Sequence, residues 1–320
     1  MTARRAFFAA SALFALQPVW ARERGTLPRI GWLGNSRPDS PETQAIWDAF
    51  WGELGAQGWV EGRDLVLERR FAEGRVERFP ALASAIVAQR PDVILASGGN
   101  AAAAARAATS SIPVVFAAVP RPVGMGLVAS LARPGGNLTG FATLSDELIG
   151  KRMQLLKEAF PGIARVAVLS GRPEAQPETE RAAQSLGLRL TFARAGAEEQ
   201  LRPAIMAHAA EDAWFVQDDT LYFVARRGIV EAIAALRRPA MYPHSVFTQA
   251  GGLMSYAVDL RDQYRRAAVY VDRILRGASP AELPVQQPAK FEFVVNLKAG
   301  RAQGLHVAEQ VLLGADQVIE

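Results

Sequence analysis

Cysteine is absent from this 320-residue chain, histidine occurs three times, and no tract of one charge sign stands alone. Without a thiol there are no disulfides, thiolate metal sites or cysteine nucleophiles, whichever compartment the chain occupies. His208, His244 and His306 lie far apart and lack metal-ligand spacing, so neither a zinc site nor a histidine-centred catalytic group can be read from local sequence. Phosphate loops are missing too, since neither GxGxxG nor a glycine loop ending in Lys-Ser/Thr is present. Lys and Arg interleave with Asp and Glu to a formal charge of +4. No basic cluster is joined to stacking aromatics, which argues against a nucleic-acid surface. The apolar stretch at 6–16 is only about 11 residues, whereas a membrane-crossing helix needs roughly 20.

That stretch has a different use. It follows Arg4 and Arg5 and precedes Val19-Trp20-Ala21, which puts a small residue where a signal peptidase cuts. Residues 1–21 therefore read as a signal peptide, cleaved after Ala21, and place the mature chain in the periplasm. The competing reading is an uncleaved anchor, for which the run is short. Arg4-Arg5-Ala6-Phe7-Phe8 also resembles a twin-arginine export motif.

At roughly 150 residues per domain, the length predicts two domains. From residue 29 onward, β-branched runs alternate with amphipathic ones, the pattern of an α/β protein with parallel strands and crossover helices. Strands are expected at 30–34, 65–71, 92–96 and 112–118. Trp47, Phe50, Trp51 and Leu54 fall on one helical face, so these aromatics read as core. Leu127, Val128 and Leu131 suggest a helix stopped by Pro134-Gly135-Gly136. After Ser145 the pattern restarts: a helix carries Ile149, Met153, Leu156 and Phe160, and strands are expected at 165–169, 189–192, 213–216 and 239–243. Periodicity alone leaves the tail beyond 256 unassigned.

Parallel α/β sheets bind ligands at the carboxyl ends of their strands, which directs attention to the loops after them. These are Asn35-Ser36, Ser97-Gly98-Gly99-Asn100, 119–123, Gln217-Asp218-Asp219-Thr220 and His244-Ser245. The two glycines after Ser97 permit close backbone approach, and the helix start behind them suits a carboxylate, although an ordinary strand-to-helix turn has the same sequence. Asp218-Asp219 suits a helix cap or an amine-binding pair better than acid-base catalysis, because neighbouring residues on a strand point apart.

The blocks RPVGMGLVASLARPGGNLTGF at 121–141, PAMYPHSVFTQAGGLMSY at 239–256, YRRAAVYVDRILRG at 264–277 and LPVQQPAKFEFVVNLK at 283–298 resemble the bacterial ABC-transporter substrate-binding proteins of the tryptophan/tyrosine type. The resemblance runs from about residue 29 to 320. It implies the type I periplasmic binding-protein fold, with two doubly wound parallel-sheet α/β lobes joined by a hinge. Lobe 1 is then 29–142, with about 257–290 returning to it, and lobe 2 is 143–256; 291–320 is left open. It also implies capture of a small molecule, an amino acid or related metabolite, without catalysis or cofactor, and a permease with its ATPase subunit as partners. Ligand-facing positions carried over are Asn35, Ser36, Ser97, Gly98, Gly99, Asn100, Arg121, Gln217, Asp218, Asp219 and Tyr256. One departure is Arg121, where the family pattern has Asp, which suggests either a more acidic ligand or a pairing with an acidic side chain of the other lobe. The alternative function is an exported sensory or orphan receptor of the same fold. A transcription-regulator effector domain would need a helix-turn-helix ahead of it, and residues 1–28 are too short and apolar.

Intact-mass measurement of protein recovered from cells is expected to give a chain beginning at Arg22. A chain retaining residues 1–21 in the membrane fraction would contradict this reading of the amino terminus.

Overall fold

The structure is a computed structural model that describes residues 26–320, so the expected signal peptide lies outside the described residues. The first lobe opens with β1 (Arg29–Gly34), α1 (Pro41–Ala56), β2 (Val66–Phe71) and α2 (Phe79–Ala88). It continues with β3 (Val93–Ser97), α3 (Gly99–Ala108), β4 (Val114–Val119) and β5 (Leu138–Ala142). The strands form a five-stranded parallel sheet in the order β2-β1-β3-β4-β5. Strand alternation divides its side chains between two cores. Leu33, Ile94, Ala96 and Phe116 pack with α2 and α3, whereas Ile30, Trp32, Leu95 and Val115 pack with Phe50 and Leu54 of α1 on the other face. Helix α1 starts cleanly because Ser40 accepts a hydrogen bond from Thr43 N (3.2 Å) and Pro41 occupies the first turn.

The second lobe contains α4 (Leu148–Ala159), β6 (Arg165–Leu169), α5 (Gln176–Ser185), β7 (Arg189–Ala193), α6 (Glu198–Ala207) and β8 (Ala213–Val216). It goes on through α7 (Thr220–Val224), α8 (Arg226–Ala235), β9 (Ala240–Tyr242), α9 (Ser245–Gln249) and β10 (Met254–Val258). The chain then returns to lobe 1 as α10 (Leu260–Leu275), which lies beside α1 and buries Tyr264, Ala267, Ala268 and Val271 against the sheet. After residue 290 it enters lobe 2 again with β11 (Phe291–Asn296), α11 (Leu297–Gln303), α12 (Glu309–Leu312) and β12 (Gln317–Ile319). The second sheet is seven-stranded, in the order β12-β11-β10-β9-β8-β6-β7, and is parallel except that β11 runs antiparallel to β10. The segment 291–320, left open by periodicity, thus belongs to the second sheet.

Three crossings join the lobes, at 143–147, at Asp259 and at 287–290. The second and third run side by side, with Asp259 N donating to Lys290 O (3.2 Å) and Lys290 Nζ 3.4 Å from Asp262 Oδ1. One local expectation fails, and one strand arises where none was expected. Residues 127–131 form bends and irregular backbone rather than a helix, because the preceding turns at 122–126 hold Gly126 at φ +65° and close the loop on itself through Met125 N to Arg121 O (2.8 Å) and Leu127 N to Pro122 O (2.9 Å). Strand β5, which no long β-branched run announces, follows instead. Its Gly140, at φ +152°, lets the backbone of Phe116 approach so closely that an added Cβ would lie 2.0 Å from the Phe116 carbonyl oxygen.

Candidate functional site

The carboxyl ends of β1, β3 and β4 face those of β8 and β9 across a cavity of about 220 Å³. Lobe 1 contributes Trp32, Asn35, Ser36, Ile46, Phe71, Ser97, Gly98 and Ala118; lobe 2 contributes Asp218, Asp219, Thr220, Phe223, His244 and Val246. Thr143 and Asp259 from the crossings, with Arg261 and Tyr264 of α10, close the hinge side. The lobes also touch around the cavity. Asn100 Nδ2 donates to Thr220 Oγ1 (3.3 Å), and a Cβ on Gly74 would meet Val224 Cγ1 at 2.8 Å.

The lobe 1 wall is built on fixed aromatic rings. Trp32 Nε1 donates to Ser97 Oγ (3.1 Å), and Trp32 stacks on Tyr264 with ring centroids 5.8 Å apart. Burial pushes the Tyr264 phenol up to about 12, with the Ser97 hydroxyl offsetting part of that effect. Gly98, at φ +87°, makes the turn into α3 that a side chain would strain, and its N–H donates to Ala117 O (2.8 Å). The first N–H groups of α3 have no intrahelical acceptor and lie at the positive end of the helix. Beside them Ala118 also adopts positive φ (+59°), fixed by buried Gln263, which accepts from Ala118 N (3.2 Å) and donates to Ala142 O (2.6 Å).

The lobe 2 wall centres on Asp218, whose Oδ1 lies 2.8 Å from His244 Nε2 and whose Oδ2 accepts from Ser145 Oγ (2.5 Å). An ionised carboxylate only accepts, so His244 carries its proton on Nε2. Burial alone would raise the Asp218 carboxyl. His244, the Ser145 hydroxyl and Arg152 outweigh that and hold it well below the usual carboxylate range. Asp219 behaves oppositely: burial raises it, and its Oδ1 caps α7 by accepting from Leu221 N (2.7 Å). Below both sits Arg152, buried on α4. It donates to the carbonyl oxygens of Tyr256 (2.6 Å), Ser145 (3.2 Å) and Pro243 (3.0 Å). Burial pushes its guanidinium down to about 10, against the opposing pull of Asp218 and Asp146.

The structure brings Asn35, Ser36, Ser97, Gly98, Asp218 and Asp219 together on the cavity. The other residues carried over from the family pattern lie off it. Gly99 packs on Met125, with an added Cβ only 2.8 Å from its Cε, and Asn100 reaches Thr220 at the rim. Gln217 turns into lobe 2, accepting from Ser170 Oγ (2.5 Å) and donating to Thr179 Oγ1 (2.7 Å). Tyr256 stacks on Phe291 with centroids 5.9 Å apart. Arg121 stands 3.2 Å from both Asp146 and Glu174, the pairing with an acidic side chain of the other lobe that was the alternative to an acidic ligand. Sequence reasoning passed over Trp32, Phe223, Arg152 and the pairing role of His244. For Arg152 a signal existed, because a charged residue interrupts the apolar stripe Ile149-Met153-Leu156 one position before Met153.

Among the described residues no group of three or more His, Asp or Glu side chains is arranged to hold a metal ion, and no helix is long and apolar enough to cross a membrane.

Residues 39–319 match the family described as ABC transporter substrate binding protein. A tyrosine-binding protein of Clostridioides difficile is 25% identical over 266 residues, which is 81% of this chain and 76% of that protein. The crystal structure of a conserved domain protein from Vibrio cholerae superposes with a TM-score of 0.86 at 27% identity, covering 92% of this chain and 100% of that one. An ABC domain from Streptococcus pneumoniae, solved in complex with L-Trp, gives a TM-score of 0.83 at 23% identity, again covering 92% of this chain and 100% of the other.

Because the folded Asp218 carboxyl is depressed, its ionisation contributes stability that is complete above the unfolded value of about 4 and is lost as pH falls through the folded value. Asp218→Asn is expected to lower unfolding free energy at pH 7 by about 1–3 kcal/mol. Denaturant titrations should show that gap shrinking progressively below pH ~4. A gap independent of pH would remove Asp218 as the charged centre of the site.

Proposed function

Since the chain belongs to the ABC transporter substrate-binding protein family, whose members bind solutes and are not enzymes, we propose that it captures an amino acid with an aromatic or large apolar side chain in the cleft between its lobes. The observation that carries this reading is the cavity itself, walled by both lobes and about 220 Å³ in volume. That is below the roughly 300–1,000 Å³ of pockets for drug-sized ligands and suits a single small metabolite. Its chemistry is divided. Trp32, Ile46 and Phe71 offer apolar and aromatic surface on lobe 1, whereas lobe 2 supplies the carboxylate oxygens of Asp218 and Asp219 beside the ring of Phe223.

Each part of an amino acid then has a counterpart. The side chain lies against the aromatic wall, the α-ammonium meets the Asp218-Asp219 carboxylates, and the α-carboxylate lies at the Ser97-Gly98 turn, toward the positive end of α3. Asp218 uses one lone pair of each oxygen internally and retains the others for a donor. The names of two relatives support this choice of ligand class, one being a tyrosine-binding protein and the other solved with L-Trp. Export to the periplasm, followed by delivery to a membrane permease with an ATPase subunit, completes the proposed role. Because contacts from both lobes exist together only when the cleft is shut, ligand binding and closure are coupled.

Calorimetry against the proteinogenic amino acids is expected to show one-to-one binding of an aromatic member. At ligand near 100 times Kd, unfolding should require roughly 2.7 kcal/mol more than in the free protein. Acetylating the α-amino group should weaken binding by about 1.5–3 kcal/mol, or roughly 10- to 150-fold, as expected for charged hydrogen bonds. Absence of binding by any amino acid, or an acetylated derivative that binds as tightly as its parent, would overturn the assignment.

A further inference from the structure

Outside the cavity, four charged side chains meet where the lobes approach each other. Arg121 stands on lobe 1 in the loop after β4, Arg172 and Glu174 stand on lobe 2 after β6, and Asp146 lies on the first crossing. Arg121 Nε is 3.2 Å from Asp146 Oδ2, and its Nη2 is 3.2 Å from Glu174 Oε1. Arg172 reaches the same two carboxylates: its Nη2 donates to both oxygens of Asp146 (2.9 and 3.1 Å) and its Nε to Glu174 Oε1 (3.2 Å). The result is a ring of alternating charge, two guanidiniums sharing two carboxylates.

The ring is asymmetric with respect to the lobes. Arg172 also donates to Asp218 O (3.4 Å), and its side chain is only 13% exposed, so it stays with Glu174 and Asp146 when the lobes part. Arg121 is the member that leaves. Without it the remaining three groups carry two negative charges against one positive; with it they are neutral. An acidic residue at position 121 would place a third carboxylate against Asp146 and Glu174, and the two lobes would repel here.

We propose that Arg121 is an electrostatic latch between the lobes, a positioning residue that favours the closed cleft and slows escape of a captured solute. This rests on reading the cleft as the site of capture. Arg121 and Glu174 remain 39% and 45% exposed, so the attraction is open to screening by salt. Closure is therefore sensitive to ionic strength even without ligand, a property that side-chain packing alone would not confer.

The absence of cysteine permits a clean test, because two introduced cysteines accept spin labels at chosen positions only. Labels at Glu77→Cys and Arg227→Cys, both at exposed positions on opposite lobes, report the cleft width of the ligand-free protein. Between about 0.01 M and about 1 M salt the screening length falls from roughly 30 to 3 Å, and the distances are expected to lengthen. Arg121→Ala should reduce the short-distance population roughly two- to fivefold at low salt and remove most of its salt dependence. The Arg121→Ala effect should also shrink in a Glu174→Gln background. Wild-type distances that do not move with salt, or an Arg121→Ala protein that matches wild type at both salts, would overturn the latch. Because the measurement needs no ligand, that outcome leaves amino-acid capture standing, while a protein that takes no amino acid yet opens with salt keeps the latch.

Discussion

Arg152 carries its charge into the interior of the second lobe, and a buried cation survives there only where its donors are met. Its partners are three backbone carbonyls: Ser145 on the first crossing, Tyr256 on β10 just before the second, and Pro243 at the end of β9. These are places where the chain either changes lobe or delivers a residue to the cleft. One guanidinium thus fixes the relative positions of the hinge and the lobe 2 wall. Asp218 sits above it, held ionised by His244, Ser145 and the nearby Arg152 charge. Removing Arg152 would leave three carbonyls without their common donor and take a nearby positive charge from Asp218, at a cost of several kcal/mol by comparison with other broken buried networks.

From that anchor the two walls acquire different characters. Lobe 2 presents polar groups whose positions are fixed by their neighbours: Asp218 by His244 and Ser145, and Asp219 by its cap on α7. Lobe 1 presents rings and backbone, with Trp32 pinned by Ser97 and the Ala118 bulge pinned by Gln263. Gln263 comes from α10, the element that returns to lobe 1 after the second crossing, so the lobe 1 wall is itself completed by the crossing architecture. Prearranged groups on both sides limit the ordering cost when a small molecule is enclosed, which matters for a ligand with few atoms to contribute contacts.

Much of this was legible in the sequence because the governing signals are local. Alternating and helical periodicities found the strands and crossover helices, and the rule that ligands gather at carboxyl ends of strands selected Asn35, Ser36, Ser97, Gly98, Asp218 and Asp219, all of which line the cavity. The misses involve partners distant in the chain. Strand β5 escapes notice because Gly140 breaks its pattern, and its reason for being glycine is the backbone of Phe116 in the neighbouring strand. Arg121 could be singled out as unusual, but Glu174 lies 53 residues away and nothing local indicates that the two meet. Gln217 and Asp218 are adjacent in sequence yet point to different surroundings, one into the lobe and one onto the cleft, which a loop's composition does not encode.

The central claim is that the divided cavity holds an amino acid, with its ammonium at the carboxylates of lobe 2 and its side chain against the rings of lobe 1. Mass spectrometry of small molecules released by denaturing protein gently purified from cells tests it most directly. The account predicts a single dominant species, an aromatic or large apolar amino acid, in an amount approaching one per chain. A dominant ligand that lacks an α-ammonium group, such as a sugar or a dicarboxylic acid, would contradict it.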